Sequence, residues 1–412
     1  MVVSRSIGSE KHQTTRPGAC IPAPAASQSA KIGRLDTRGN PSTPPPQKRA
    51  ENRWFLADAA RSSLHSNGVE ASIRACGMAS HGSPVVTFRC EAVDDEHDRI
   101  AVDGVRWCGS VRCPRCAPIR ASVISDRVGQ TLEAAYAGGF SVALMTLTVR
   151  HDRKTALKDE REVMTEAFRR LQHGGLWTRL KRAGLAGLVR VPEVTWGART
   201  GWHLHIHTLV IMKGDAVAAG RSLVDRWLHL VQVAGFSAAM EGQDVRPINR
   251  DSGLGDYGVK GLRSWGPALE MAGQWVKTGK RPGRMGVAEL LALAAEGDKL
   301  AGAKYAEAVR DLKGMRCMTI GPALKRALGL TFEDPADEEA VEVESQAGEV
   351  LGDLCGAVWA KAAGKRQRGA VVRLIFKHRD VEWCDVERLI WNRIMGREPP
   401  WLIALLPMGS SP

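Results

Sequence analysis

No stretch of this 412-residue chain approaches the roughly 20 uninterrupted apolar residues of a membrane span. The N-terminus, Met1 to Gln28, carries basic residues and lacks an apolar run of signal-peptide length. These absences argue against a membrane partner and lead us to expect a cytoplasmic protein. Repeats of solenoid period are missing too, which excludes a stacked-repeat architecture. Tyrosine is scarce: Tyr136, Tyr257 and Tyr305 are the only three. Any chemistry that needs a phenol therefore has few candidates.

Negative charge is the minor sign. Fifty-eight Lys and Arg against 45 Asp and Glu give a net charge of +13 and a pI of about 9.5. Residues 331–350 hold eight acidic residues and no basic one, so the rest of the chain sums to +21. Such an excess favours a polyanionic partner, because each cation set near a phosphate releases condensed counterions. The nine cysteines are odd in number, and Cys108, Cys113 and Cys116 sit close together. In a cytoplasmic protein this clustering points to metal ligation rather than disulfides.

Residues 1–50 are rich in Ser, Thr, Pro, Gly and Arg and read as a disordered basic tail. Residues 51–135 form a cysteine-rich module that ends in a helix, Asp126 to Tyr136, stopped by Gly138 and Gly139. Phe140–Val149 reads as a strand, residues 156–183 as helical, Leu188–Trp196 as a strand that Pro192 pushes towards an edge or bulge, and Trp202–Met212 as another strand. A helix follows over 217–233. Residues 286–312 have helical spacing, and a short helix spans Pro322–Leu328. The alternation, with at least one hairpin, predicts a mixed sheet with helices against it. Residues 331–350 read as an acidic linker. In the C-terminal segment 351–412, to which no role is assigned, Ala370–Ile394 reads as a strand and then a helix.

Alternate residues of a strand share a face, so His203, His205 and His207 point to one side and Leu204 and Ile206 to the other. Same-face neighbours lie roughly 6.6 Å apart along the strand, close enough for two imidazoles to share one ion. Glu193 precedes this strand across a five-residue turn, and a hairpin brings it near the histidines. Imidazoles with a carboxylate make a mixed N/O site suited to Mg²⁺ or Mn²⁺, and also to Zn²⁺. In WCGSVRCPRCAPI, Cys108-x4-Cys113-x2-Cys116 resembles a zinc knuckle, with Cys76 or Cys90 as candidates for the fourth ligand of a structural Zn²⁺.

Three segments together resemble a known family. MTLTVRH (Met145–His151), EVTWGARTGWHLHIHTLV (Glu193–Val210) and, more loosely, DYGVKG (Asp256–Gly261) are similar to the three motifs of plasmid rolling-circle replication initiators of the HUH endonuclease superfamily. The similarity runs roughly from Arg74 to Leu330. It implies an α+β fold: an HUH-type nuclease domain over 136–265 with a central antiparallel sheet flanked by helices, preceded by the cysteine-rich zinc module and followed by a helical part over 266–330. It implies His205 and His207 as the metal pair, with Glu193 a helper and His203 an auxiliary imidazole. It implies Tyr257 as the nucleophile that nicks one strand of a double-stranded origin, leaving a 5′-phosphotyrosine link and a free 3′-OH, with Lys260 balancing charge beside it. Plasmid DNA in double- and single-stranded form, a host helicase and a DNA polymerase would be the partners. Gly253 stands where some relatives carry a Glu that activates water at termination. Two other readings are a transposase or mobilisation relaxase of the same superfamily, and a non-catalytic zinc-dependent DNA-binding regulator that would leave the histidine strand unexplained.

Overall fold

The computed structural model describes residues 46–80, 84–248, 283–332 and 348–401. Helix α1 (Pro46–Ser66) opens on Pro46, whose fixed φ and missing N–H suit a first helical turn. It begins inside the stretch read as a tail. A hairpin of β1 (Val85–Asp94) and β2 (His97–Asp103) follows, and α2 (Ala117–Ala137) continues directly from the cysteine segment.

The chain then builds its main sheet. β3 (Ser141–Thr148) is followed by α3 (Leu157–Leu171) and α4 (Gly174–Arg182), then by β4 (Leu185–Gly197), β5 (Gly201–Met212), α5 (Ala216–Val233) and β6 (Asp244–Ile248). The run read as one helical segment over 156–183 is two helices, parted at Gln172–His173, and the second starts on Gly174, whose φ of 85° favours glycine. Asp215 starts α5 by accepting from Val217 N at 2.9 Å and Ala218 N at 3.0 Å, an N-cap that contributes about 1 kcal/mol. After β7 (Arg284–Gly286), helices Val287–Ala295 and Lys299–Asp311 replace the single run read over 286–312, with the break at Gly297. β8 (Thr319–Ile320) precedes a helix at Pro322–Leu328, and β9 (Glu349–Cys355) precedes three C-terminal helices.

The main sheet has the order β6-β3-β5-β4-β7, with β8 also on β4. Every strand pair among the described residues is antiparallel, which sharpens the mixed sheet expected from the alternation. β5 is central and pairs along its length with β4, in the register Trp196↔Trp202, Glu193↔His205 and Val191↔His207. On its other side it pairs with β3, as Thr146↔His207 and Thr148↔His205. Pro192 falls between the short contacts that β8 and β7 make on the outer side of β4, where a missing N–H costs no ladder bond. Helices α3 and α5 cover the face opposite the histidines: Arg190 lies over Phe168 of α3, and Gly220 of α5 approaches Val210.

A second core forms where the sequence suggested separate pieces. β9 pairs with β1, so the small sheet runs β2-β1-β9. Phe88, Ile100 and Leu354 from its strands pack with Trp359, Val371, Val372, Ile390 and Ile394 from the C-terminal helices. The segment 351–401 is thus built into the N-terminal part. The strand expected at the start of Ala370–Ile394 is a correction: residues 368–377 are a helix, and only Trp383–Met395 agrees with the expected one. Arg368, Gly369, Val371, Val372 and Ile375 are buried in a pattern of helical period, which outweighs the β-branched composition. Helix α1 serves both cores, with Trp54 in the smaller one and Ala59, Ala60 and Leu64 in the larger.

Candidate metal centres

The first centre lies on the half-open face of the main sheet. The β4–β5 turn depends on Gly201, at φ 79°, where a Cβ would sit 2.4 Å from the carbonyl oxygen of Asp152. Trp202 holds the root of the hairpin in place by donating from Nε1 to Glu307 at 2.7 Å. The register then sets Glu193 directly across from His205, and its Oε2 lies 3.0 Å from Nε2 of His205 and 3.0 Å from Nε2 of His207. Ligands about 2.1 Å from an ion and at right angles to one another are about 3.0 Å apart, the spacing of an octahedral site. The donor set of two imidazoles and a carboxylate therefore fits a divalent cation. Glu193 and His205 are half-buried and His207 is buried, and the carboxylate is the most accessible of the three, at 24%.

The surroundings set protonation. Burial alone would raise the pKa of Glu193, but the hydrogen bonds from His205 and His207 outweigh it and hold the carboxyl below its ordinary range. Burial lowers the pKa of His205, which favours its neutral imidazole. Nδ1 of His207 lies 3.3 Å from the hydroxyl of Thr146, which leaves Nε2 free to face Glu193. Nδ1 of His205 is buried without a partner.

His203 stands apart from this group of three. Its Nδ1 lies 2.8 Å from Nε2 of His151, whose Nδ1 lies 3.1 Å from the carbonyl of Thr200. A carbonyl only accepts, so Nδ1 of a neutral His151 carries the proton and its Nε2 accepts from His203. That leaves Nε2 of His203 bare. The four rings of His151, His203, His205 and His207 follow one another at centroid distances of 4.7, 5.0 and 4.8 Å. Sequence reading placed His151 in a motif but gave it no role. Its partner is 52 residues away, through a turn that only the fold closes.

The second centre joins Cys76, Cys108, Cys113 and Cys116, all buried. Their sulfurs are 3.5 Å apart for Cys113–Cys76 and 3.7 Å for Cys76–Cys116 and Cys108–Cys116. A disulfide would bring two of them to about 2.05 Å. Four sulfurs at roughly 2.3 Å from a zinc ion lie about 3.8 Å apart at the corners of a tetrahedron, so the thiols match that cage. Cys90, the alternative fourth ligand, lies on β1 opposite Ile100 and Glu349 and outside the group. Among the described residues, these are the two groups of at least three side chains able to hold a metal ion.

The C-terminal helices brace this second centre. Gly77, at φ 74°, leaves no room for a Cβ between the rings and guanidiniums of Trp54, Arg115 and Arg368. Its carbonyl accepts from Trp359 Nε1 and from Arg368 Nη1, both at 2.8 Å. Arg368 is itself paired with Asp58 at 2.5 Å, both essentially without exposure. Arg115 lies between Trp54 and Trp107, at 3.9 and 4.0 Å from the ring centroids, and reaches Cys76 Sγ at 3.7 Å.

Two of the three tyrosines are occupied elsewhere. Tyr136 donates to Ile248 O at 2.6 Å, and burial pushes its pKa up to about 12. Tyr305 is fully buried and donates to Arg112 O at 3.0 Å, and burial raises its pKa well above the usual value. Tyr257 and Lys260 lie outside the described residues.

Residues 99–367, more than half the chain, match the model of a family described as replication protein. The chain belongs to the replication protein family. The matched stretch contains Cys108, Cys113, Cys116, Glu193, His205 and His207, whereas Cys76 and α1 precede it and Arg368 follows it. A "Protein rep" of Streptomyces lividans is 27% identical over 230 residues, which cover 42% of this chain and 50% of that protein. A "Neomycin resistance protein" of Streptomyces cyanogenus is 30% identical over 137 residues, covering 27% of this chain and 31% of that protein. The chain thus spans about half the length, or less, of these curated relatives. No solved structure matches it. Among the described residues, no helix is long and apolar enough to cross a membrane.

Proposed function

We propose that this family member initiates rolling-circle replication of a plasmid as an HUH-type endonuclease, nicking one strand at a double-stranded origin. The observation that carries the reading is the convergence of His205 Nε2 and His207 Nε2 on Glu193 Oε2 at 3.0 Å, on the open face of a central antiparallel strand. A Mg²⁺ or Mn²⁺ ion held by these residues would polarise a scissile phosphate and fix its position. In this chain Glu193, His205 and His207 supply the ligands, Thr146 orients His207, and His151 orients His203 as the auxiliary imidazole. The buried cysteine group is the proposed seat of a structural Zn²⁺.

Tyr257 is the proposed nucleophile. Its hydroxyl oxygen forms a bond to phosphorus as the bond from phosphorus to the 3′ oxygen breaks. The phenolic proton leaves and the departing oxygen gains one, giving a 5′-phosphotyrosine and a free 3′-OH. One phosphoester replaces another, so the step is reversible without ATP. Lys260 would balance charge on the phosphate or the phenolate. The structural engagement of Tyr136 and Tyr305 favours Tyr257, the remaining phenol of the chain. Origin DNA, the displaced single strand, a host helicase and a polymerase are the partners this activity requires.

The test is incubation with supercoiled origin plasmid and Mg²⁺ or Mn²⁺. Wild type should yield nicked circles with protein attached covalently. Tyr257→Phe should yield none, and Glu193→Gln or His207→Ala should abolish metal-dependent cleavage. Nicking by the Phe variant at the wild-type rate would remove Tyr257 from this role, and intact cleavage by the metal-site variants would remove the ion from Glu193, His205 and His207.

A further inference from the structure

Beside the cysteine centre, Arg49, Arg53 and Leu56 of α1 border a cavity of about 250 Å³. The Cys113–Pro114 turn, the first residues of α2 and the start of helix Val287–Ala295 complete its walls. Arg53 is half-buried, and its guanidinium makes no hydrogen bond or ion pair among the described residues. Burial lowers its pKa, and the nearby cations Arg99, Arg49 and Arg115 lower it further. A guanidinium partly withdrawn from water, with cations nearby and no counter-ion of its own, is an unfavourable arrangement that an incoming anion relieves. Two helices also begin at this cavity, at Ala117 and Val287, and their dipoles add to the positive potential.

Asn52 and Arg112 also border the cavity, and most of the remaining wall is apolar, from Leu56, Pro114, Ala117, Pro118 and Leu291. A free inorganic anion would satisfy Arg53 and leave that wall facing water. A duplex backbone would present phosphates without an exposed apolar face. A nucleotide out of its stack carries both an anionic phosphate and a flat, weakly hydrated base. The volume is below the roughly 300–1,000 Å³ of a drug-sized pocket, which suits one base rather than several.

We propose that this cavity seats one unstacked nucleotide of single-stranded DNA, its phosphate against Arg53 and its base against Leu56, Pro114 and Leu291. The inference rests on DNA being the substrate. It adds a second contact whose phosphate-binding side, on α1, lies outside the matched stretch 99–367. Cys113 borders the cavity, so the cysteine centre that fixes the turn also fixes one wall of the seat.

The experiment uses the full-length, zinc-loaded protein and a fluorescein-labelled oligothymidylate, followed by anisotropy across a series of NaCl concentrations. Losing one phosphate contact lowers the single-strand salt slope by about 0.7 and weakens binding about fourfold near 0.15 M salt. Arg53→Gln should show both effects, and Arg53→Lys should recover most of the slope. Binding of a blunt duplex of equal length should not change. With a 4-thiothymidine oligonucleotide, wild type should crosslink within residues 49–56 or 113–118, an arm that needs no variant to fold. Equal affinity and slope for wild type and Arg53→Gln, or crosslinks confined to other segments, overturns the inference while leaving the nicking activity standing. A wild type that binds no DNA overturns both.

Discussion

Replacing Cys76 with Ser should empty the cysteine centre, and replacing Cys90 with Ser should not. The two residues are equal candidates by sequence, and the structure separates them. Cys76 lies 3.5 and 3.7 Å from two of its partners, while Cys90 sits on β1 outside the group. A structural zinc site binds its ion with roughly 10–16 kcal/mol, or about 2.5–4 kcal/mol for each of four thiolates. Losing one ligand therefore weakens zinc binding by a factor on the order of 10² to 10³. The three remaining thiols are buried, so water replaces the lost sulfur poorly. The assay is metal content by mass spectrometry after gel filtration, followed by zinc release to a chromogenic chelator. Wild type and Cys90→Ser should retain one zinc per chain, and Cys76→Ser should lose it during filtration. Full zinc in Cys76→Ser, or loss of zinc from Cys90→Ser, would refute the assignment of the fourth ligand.

Two further outcomes test the surroundings of the centres. Burial, followed by the charges of His205, Arg284 and His151, holds the pKa of His203 at about 2, so it is neutral in the folded protein. Its unfolded value is near 6.5, and stability it contributes above that pH is lost as pH falls. Between pH 7 and 5.5 the wild type should lose about 1 kcal/mol more than His203→Asn in urea unfolding; equal losses would show that His203 is not held neutral. Arg368→Leu leaves Asp58 buried and unpaired and removes a donor from Gly77 O, so urea unfolding should show a loss of about 3–5 kcal/mol and zinc should leave faster. Adding Asp58→Leu should recover much of that stability, and a single variant as stable as wild type would remove the bracing role.

The sequence made the central hairpin legible because its alternation is strict and its turn is bounded by glycines. Glu193, His205 and His207 follow from that register, since a one-residue slip would turn every histidine to the buried face. His151 was harder to read. Its link to His203 depends on how the loop after β3 meets the β4–β5 turn, and no periodicity encodes that meeting. The choice between Cys76 and Cys90 was closed for the same reason. Val371, Val372, Leu374 and Ile375 favour a strand by composition, yet packing against α1 decides for a helix. Nothing local in β1 announces that its second neighbour is β9.

That last pairing has a consequence in time. Val85 meets Cys355, some 270 positions later in the chain. A ribosome adding roughly 5–20 residues per second takes about 15–55 s to cover that distance. Throughout that interval one edge of β1 has no strand beside it, and Phe88 and Ile100 have no cover from Trp359 or Ile390. An open edge over uncovered apolar side chains invites pairing with other chains. Nascent chains halted before Glu349 would thus be the aggregation-prone products of this gene, and arrest of synthesis late in the message would leave insoluble protein rather than a shorter functional one.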